Sequence, residues 1–406
     1  MKKIGIYIHI PFCKRKCYYC DFISYCNEGN NIQNYIECVK KEIKYKSEQL
    51  NEFSKKNSEN FIIDTIYIGG GTPSFIEDKN ITNLLDNINK YFNVDENAEI
   101  TIELNPDSVN SEKLKNYQNA GINRVSIGLQ STNDKLLKKI GRIHNYEQFQ
   151  TAYELVKKNG FKNINIDLMI GLPDQTLEDV ESSLKKVMKL NPTHISVYSL
   201  ILEEKTKLEK EVSSGILSLP SEEIERKMYW FVKETLEKEN YIHYEISNFA
   251  KDGMQSKHNV NCWNQNEYLG VGIAAHSYFN SIRFSNTTDM KEYIKNIQEK
   301  NFSKNEVIHE ILSLEEKQKE FMLLGLRKLN GIEIKDFKNK FMQNPIYLFR
   351  EQLSKLQEED LIEIDGDFIR LTNRGLDLAN IVWEEFVWKQ LLIIIYKIFL
   401  KLRTLD

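Results

Sequence analysis

At 406 residues the chain is long enough for two or three domains, and a hydrophobic fraction of 41% suffices to bury their cores. Fifty-five Lys and Arg against 59 Asp and Glu leave a formal charge of −4, which excludes the broad basic field that phosphate backbones require, so nucleic acid is not expected as a partner. No uninterrupted apolar run reaches the roughly 18 residues of a membrane span. Met1-Lys2-Lys3 leads into a strand-like segment rather than a signal-peptide core, so a cytoplasmic protein is expected. Six cysteines are too sparse for a disulfide scaffold, and a cluster among them reads as metal or redox chemistry.

Segments 4–10, 62–68 and 98–104 are rich in β-branched residues, and turn residues and a stretch of helical periodicity follow each one. The series continues through 123–127, 163–169 and 193–199, with helices predicted over 147–158 and 177–190. Such alternation implies right-handed βαβ crossovers and a parallel sheet. Six strands are too few to close an eight-stranded barrel, so the expected fold is α/β, a partial (β/α)6 TIM-like barrel over residues 1–200. In open sheets and barrels alike, ligands gather at the carboxyl ends of the strands.

Beyond residue 201 the pattern loosens. A helix over 222–238, a strand over 241–247 and a Gly/aromatic-rich stretch over 268–279 read as a continuation and cap of the barrel, spanning 201–314. Residues 315–385 form a further unit, with helices predicted over 316–329 and 345–358 and a hairpin over 361–371 turning at Asp365-Gly366-Asp367. That order is winged-helix-like α+β. Its 333–380 stretch holds seven Lys/Arg against ten Asp/Glu, a net of −3, which favours protein contact or lid duty over DNA. The tail 386–406 contains an apolar run, 391–402, interrupted by Lys397 and Lys401. Two readings stand for it: a helix packed on the body, or an interfacial helix making peripheral membrane or partner contact.

Directly after the first strand, Tyr7-Ile8-His9-Ile10-Pro11-Phe12-Cys13-Lys14-Arg15-Lys16-Cys17-Tyr18-Tyr19-Cys20-Asp21-Phe22 places three thiols within eight residues, in a βα loop. Three close thiolates can ligate three of the four irons of a cubane and leave the fourth open to an exogenous ligand. A zinc site would want a fourth donor, for which Cys26 or His9 stands nearby, but the spacing is not a usual zinc pattern. Lys14, Arg15 and Lys16 are expected to lower the thiol pKa values and offset the charge of a cluster.

The C-x3-C-x2-C stretch with an aromatic before its last Cys resembles the signature of the radical S-adenosylmethionine (SAM) superfamily. That resemblance implies a [4Fe-4S] cluster on Cys13, Cys17 and Cys20, with the amino and carboxylate groups of SAM on the open iron, and a partial (β/α)6 barrel. Physical features of other loops agree. Gly69-Gly70-Gly71-Thr72-Pro73 by itself reads more readily as a tight turn, but it follows the second strand of such a barrel, where backbone free of side chains can approach a small zwitterion. Glu103 ends the third strand and Gln130 the fourth, and Asp167 lies within the fifth, locations that favour ligand contact over surface charge. Arg142, in Gly141-Arg142-Ile143-His144, either pairs with the SAM carboxylate or fixes the local turn.

The resemblance narrows at Tyr7–Cys13, 69–74, Glu103-Leu104-Asn105-Pro106, 141–144 and Asp167-Leu168-Met169-Ile170-Gly171-Leu172-Pro173, which together are similar to the oxygen-independent coproporphyrinogen III dehydrogenase group and its relatives, the HemW-type heme chaperones. Carried over from that group's SAM site are Tyr7, Tyr19, Gly70, Gly71, Thr72, Glu103, Gln130, Arg142 and Asp167. Two departures favour the chaperone branch. Phe22 stands where the dehydrogenases carry a further Cys, and only three residues precede the first strand where they have a long extension. The chaperone branch implies heme as a third cofactor and a respiratory heme-acceptor protein as partner. Porphyrin decarboxylation is the alternative reading, and a radical SAM reaction on another substrate a third.

A heme-binding stretch of that branch, His-Asn-x-x-Tyr-Trp, corresponds here to His258-Asn259-Val260-Asn261-Cys262-Trp263, with Cys262 in place of the tyrosine. Imidazole and thiolate are both competent iron ligands and an indole stacks on a porphyrin face, so His258, Cys262 and Trp263 are the expected heme contacts. Without the resemblance, a lone His beside a Trp is more often structural. His276, Cys26 and Cys38 are expected to be ordinary packed residues.

Overall fold

Isoleucine at every second position opens the chain: Ile4, Ile6, Ile8 and Ile10 all lie buried on one face of strand β1 (Lys2–Ile10). In the computed structural model, which describes residues 1–26 and 29–387, helix α1 (Gly29–Asn57) leads from β1 to β2 (Phe61–Gly70). The step repeats through α2 (Asp78–Tyr91), β3 (Val94–Leu104), α3 (Ser111–Asn119), β4 (Arg124–Gln130), α4 (Asp134–Lys139), α5 (Tyr146–Lys158), β5 (Asn163–Ile170), α6 (Leu177–Leu190) and β6 (His194–Ser199). The six strands lie side by side in chain order and all run parallel, with Tyr7 beside Tyr67, Tyr67 beside Thr101 and Thr101 beside Arg124.

Side chains alternate across these strands with period two, and the two faces differ in chemistry. Ile66, Ile68, Ile100, Ile102, Val125, Ile127, Ile164, Ile166, Ile195 and Val197 face outward and pack beneath the helices in the larger hydrophobic core. Each such side chain contributes about 1.5–3 kcal/mol on full burial. The inward positions are mostly polar: Thr65 and Tyr67, Thr101 and Glu103, Arg124 and Ser126, Asn165 and Asp167, His194 and Ser196. The strands therefore enclose a polar lining within an apolar jacket.

The wall stays open. Beyond β6, α7 (Lys207–Ser213) and α8 (Glu222–Lys238) lead to β7 (Ile242–Glu245) and β8 (Asn248–Ala250), and β6 pairs with β8 rather than with β1. After α9 (Lys257–Trp263), strand β9 (Tyr268–Val271) pairs with β1 and is followed by β10 (His276–Phe279), β11 (Ile282–Asn286), α10 (Met290–Gln298) and β12 (Glu306–Ile311). The sheet counts twelve strands among the described residues, and β9 extends the parallel run of β1–β6 to seven. This is the expected partial barrel.

The remaining elements are α11 (Leu314–Gly325), β13 (Ile332–Glu333), α12 (Ile334–Phe341), α13 (Pro345–Leu348), α14 (Arg350–Glu358), β14 (Ile362–Asp365), β15 (Phe368–Leu371), α15 (Asn373–Asp377) and α16 (Ala379–Glu384). They build a small antiparallel sheet, β13-β15-β14, and a second core around Phe321, Phe337, Phe349 and Leu356 that also takes in Ile246 and Trp263. The helix expected over 345–358 is two helices, broken at Phe349, whose ring is buried edge-on between Phe337 and Phe386. No helix of the described residues is long and apolar enough to cross a membrane. The apolar tail read from the sequence, 391–402, lies outside the described residues.

Candidate cofactor site at the carboxyl ends of the strands

The loop after β1 is pinned at both ends. Tyr25 N–H donates to Pro11 O at 2.7 Å and Cys13 N–H to Tyr25 O at 3.0 Å, and Phe12 is buried edge-on against Tyr35. Between these ties the loop carries Cys13, Cys17 and Cys20, and all three line one cavity together with Tyr19, Gly70, Gly71, Thr72, Glu103, Gln130, Arg142 and Asp167. Eleven residues from five successive strands and the connections that follow them thus converge. Of the residues carried over for SAM, Tyr7 alone does not line this cavity: its ring lies 6.2 Å from that of Tyr67, and its hydroxyl bonds His9 Nδ1 at 3.0 Å.

Glycine is required where the loops meet. Gly70 has φ +113°, and a Cβ there would lie 2.5 Å from the His9 ring; one on Gly71 would lie 2.9 Å from the Phe12 backbone and 3.0 Å from Cys13 Sγ. Thr72 Oγ1 donates to Cys13 Sγ at 3.6 Å. Glu103 is held from two sides, Oε2 accepting Gly70 N–H at 3.0 Å and Oε1 accepting the Tyr67 hydroxyl at 3.1 Å. Asp167 accepts from Ser126 Oγ at 3.2 Å and from Asn165 Nδ2 at 2.6 Å. Gln130 sits at the end of β4 with φ +71°, after a register shift that turns the strand end into the cavity.

Arg142 does more than fix a turn. Its Nη2 donates to Asn105 Oδ1 at 2.5 Å and to Gly128 O at 2.7 Å, and its Nη1 to Cys17 Sγ at 3.5 Å. Burial works against its charge, but Cys17 and Tyr19 outweigh burial and hold the guanidinium above its ordinary value. Asn105 was not among the residues singled out from the sequence, yet it joins Arg142 to Thr72 through an Nδ2 to Oγ1 bond of 3.3 Å. Its position two residues past Glu103, at a strand end, was the available signal.

Of the basic residues between the thiols, Lys16 acts in the expected direction on Cys20, but burial outweighs it. Burial pushes the Cys13 thiol up to about 11 and raises Cys20 well above its ordinary value, and Lys16 only partly offsets the latter. Lys14 is paired with Asp107 and Arg15 with the Tyr18 hydroxyl. A metal group bound there would deprotonate the thiols through its positive charge. Among the described residues no three His, Cys, Asp or Glu side chains gather around one ion-sized point, as a zinc site requires. A cubane instead gives each thiolate a different iron. Three thiols lining one cavity fit such a cluster, with Glu103, Arg142 and the Gly70-Gly71 backbone supplying both signs of charge-binding group for a zwitterion.

The second expected group lies elsewhere. Helix α9 seals the amino-terminal end of the strands, with the N–H groups of Lys257 and His258 donating to the Glu99 carboxylate at 3.0 and 3.1 Å. His258 projects into the barrel, where Nδ1 bonds Thr65 Oγ1 at 2.9 Å and the ring lies 5.3 Å from that of Tyr67. Burial and the Arg124 charge push its pKa down to about 3, and Nε2 has no hydrogen-bond partner among the described residues. Cys262 packs with Tyr268, Tyr278 and Leu312, and Trp263 lies in the second core beneath Arg327, 4.4 Å from its ring. His258, Cys262 and Trp263 thus face three different surroundings. Thr65 is five residues before Gly70, so His258 sits about 16 Å along the strands from the cysteine loop.

A sequence model of the Radical SAM superfamily matches residues 7–187, and one of the HemN C-terminal domain matches 312–378. The chain is 38% identical to the heme chaperone HemW of Lactococcus lactis over 386 residues, covering 95% of this chain and 98% of that one, and 39% identical to that of Bacillus subtilis over 382 residues, covering 94% and 98%. It is 31% identical to a mitochondrial radical S-adenosyl methionine domain-containing protein of Danio rerio, over 94% and 84% of the two chains. Among solved structures, coproporphyrinogen III oxidase (HemN) from Escherichia coli superposes with a TM-score of 0.82 at 21% identity, over 95% of this chain and 90% of that one, a likeness of fold. With cysteine loop, glycine cradle and C-terminal module all matched over nearly the whole length, the chain belongs to the HemW family of heme chaperones within the radical SAM superfamily.

Proposed function

We propose that this protein is a heme chaperone, which binds heme and passes it to an acceptor protein while carrying a SAM-coordinated [4Fe-4S] cluster. Family membership implies the cluster and SAM. Cys13, Cys17 and Cys20 would hold the cluster; Gly70, Gly71, Thr72, Glu103 and Arg142 would hold the amino-acid end of SAM, with Tyr19, Gln130 and Asp167 toward its nucleoside. When bound, the pair supplies one-electron chemistry at a sulfonium. The chain's own contribution is to orient: Thr72 and Arg142 direct donors at two of the sulfurs, and Glu103 offers a carboxylate whose rotation is fixed.

The observation that carries the reading is the 38–39% identity to heme chaperones HemW over nearly the whole of both chains; the cofactor cavity lies at one end of the strands and helix α9 at the other. His258, Cys262 and Trp263 are assigned to heme through the family's stretch. All three are buried, so heme reaches them when α9 leaves the barrel mouth. We place the action in the cytoplasm, with a respiratory acceptor and with membrane contact through 391–402. The domain division read from the sequence is kept, with 315–385 as the module facing the acceptor.

Porphyrin decarboxylation has the shared fold in its favour, and Phe22 on the cavity wall against it. Anaerobic reconstitution with iron and sulfide, followed by parallel heme titration and coproporphyrinogen assay, tests the choice. Stoichiometric heme binding without protoporphyrinogen formation is expected. Absence of heme binding, or appearance of protoporphyrinogen, overturns it.

A further inference from the structure

Two consecutive inward positions of β2 connect the sites. Tyr67, fully buried, donates its hydroxyl to Glu103 Oε1 in the cofactor cavity at 3.1 Å, while its ring rests 5.3 Å from the His258 imidazole of α9 at an interplanar angle of 34°. Thr65, two residues earlier on the same face, binds the same imidazole through Nδ1 at 2.9 Å. The stack has no slack. A Cβ on Gly69 would lie 2.7 Å from Glu103 Oε1 and 2.9 Å from Tyr67 Cε1, and one on Gly5 would lie 3.3 Å from His258 Cε1. One hydrogen bond thus ties Tyr67 to Glu103, and His258 packs against the same ring.

We propose that Tyr67 is a positioning residue that fixes the Glu103 carboxylate in the SAM cradle and couples occupancy of that cradle to helix α9. The coupling rests on the reading of the cavity as the SAM site and is independent of whether α9 takes heme. A ligand with a cationic amino group binds best to the arrangement in which Glu103 is already held by Tyr67 and Gly70 N–H. That arrangement includes α9 in place. SAM thus favours the closed state of α9, and by linkage whatever pulls α9 away weakens SAM by the same factor.

The test is hydrogen exchange of segment 257–263 in the reconstituted full-length chain, with and without SAM, beside a direct measurement of SAM affinity. In the wild-type protein SAM is expected to slow exchange of α9 about tenfold. Tyr67→Phe keeps the ring and removes the donor; it is expected to retain iron and to bind SAM about tenfold more weakly. At saturating SAM the variant is expected to lose the slowing at α9, which a merely structural defect would not single out. Wild-type α9 exchange indifferent to bound SAM, or a full response in Tyr67→Phe, overturns the coupling. The wild-type comparison stands by itself should the variant misfold. Failure of the wild-type protein to bind SAM appears in the affinity measurement and overturns the cradle reading together with the coupling.

Discussion

Arg142 Nη1 donates to Cys17 Sγ at 3.5 Å while Nη2 is occupied by Asn105 and the Gly128 carbonyl. A cationic donor on a cluster thiolate favours the more negative, reduced state, because hydrogen bonds to sulfur and nearby charge set the potential of such clusters. Arg142→Gln is expected to lower the potential of the reconstituted cluster by roughly 60 mV or more, a tenfold shift in a one-electron equilibrium. Redox titration followed by electron paramagnetic resonance, in the absence of SAM, measures it. An unchanged potential would confine Arg142 to ligand binding.

Cysteine content gives a sharper test of the loop. Cys13→Ala, Cys17→Ala and Cys20→Ala are each expected to lose iron and acid-labile sulfide. Cys38→Ala is expected to keep both, since Cys38 is buried in α1, away from the cavity. Cys26 is the demanding control, because it stands near enough to raise the Cys13 pKa without lining the cavity. Retention of a full cluster by Cys26→Ala, measured as iron per chain, is the expected outcome.

The barrel was legible because its outward positions carry the β-branched signal: Ile66, Ile100, Val125, Ile164 and Ile195 recur beneath helices and mark the strands whatever lies inside. Residues at strand ends, such as Glu103 and Gln130, were legible because topology alone places them at the cavity. Asn105 was not, since its role is a bond to Arg142 from a different loop, a contact no local pattern encodes. The surroundings of the His258–Trp263 stretch were not legible either. It is contiguous in sequence, but α9 lies at a junction of three packing environments, and residues 262 and 263 diverge by about 100° around the helix into different cores.

Trp263 discriminates between a binding surface and a structural one. Its ring packs under Arg327, which also stands 5.0 Å from the Trp383 ring and is 2% exposed. Trp263→Ala is expected to cost about 3–5 kcal/mol in the absence of heme, with loosening of 315–385 seen first by limited proteolysis. Urea unfolding checks the magnitude. A loss below about 1 kcal/mol, the scale of surface substitutions, would mean that the indole is available to a porphyrin without disturbing the fold.

Buried imidazoles give the protein a defined acid weakness. Burial pushes His258 down to about 3 and His243 to about 4, and holds His194 well below its ordinary value, with Arg124 adding to the effect on His258 and His194. In the unfolded chain the same groups take up a proton near pH 6.5. Below that pH the unfolded state binds more protons, so their contribution is fully present above about 6.5 and is lost as pH falls toward the folded values. Glu42 works in the opposite sense, because burial raises its carboxyl, so the wild-type profile is a sum of opposed terms. Comparison with a variant isolates one of them: His258→Gln is expected to make the decline in unfolding free energy between pH 6 and 4.5 shallower by about 1.4 kcal/mol per pH unit. Urea unfolding at several pH values reads that slope. An identical slope in the two proteins would mean that His258 titrates freely in the folded state, and α9 would then already stand open at the barrel mouth.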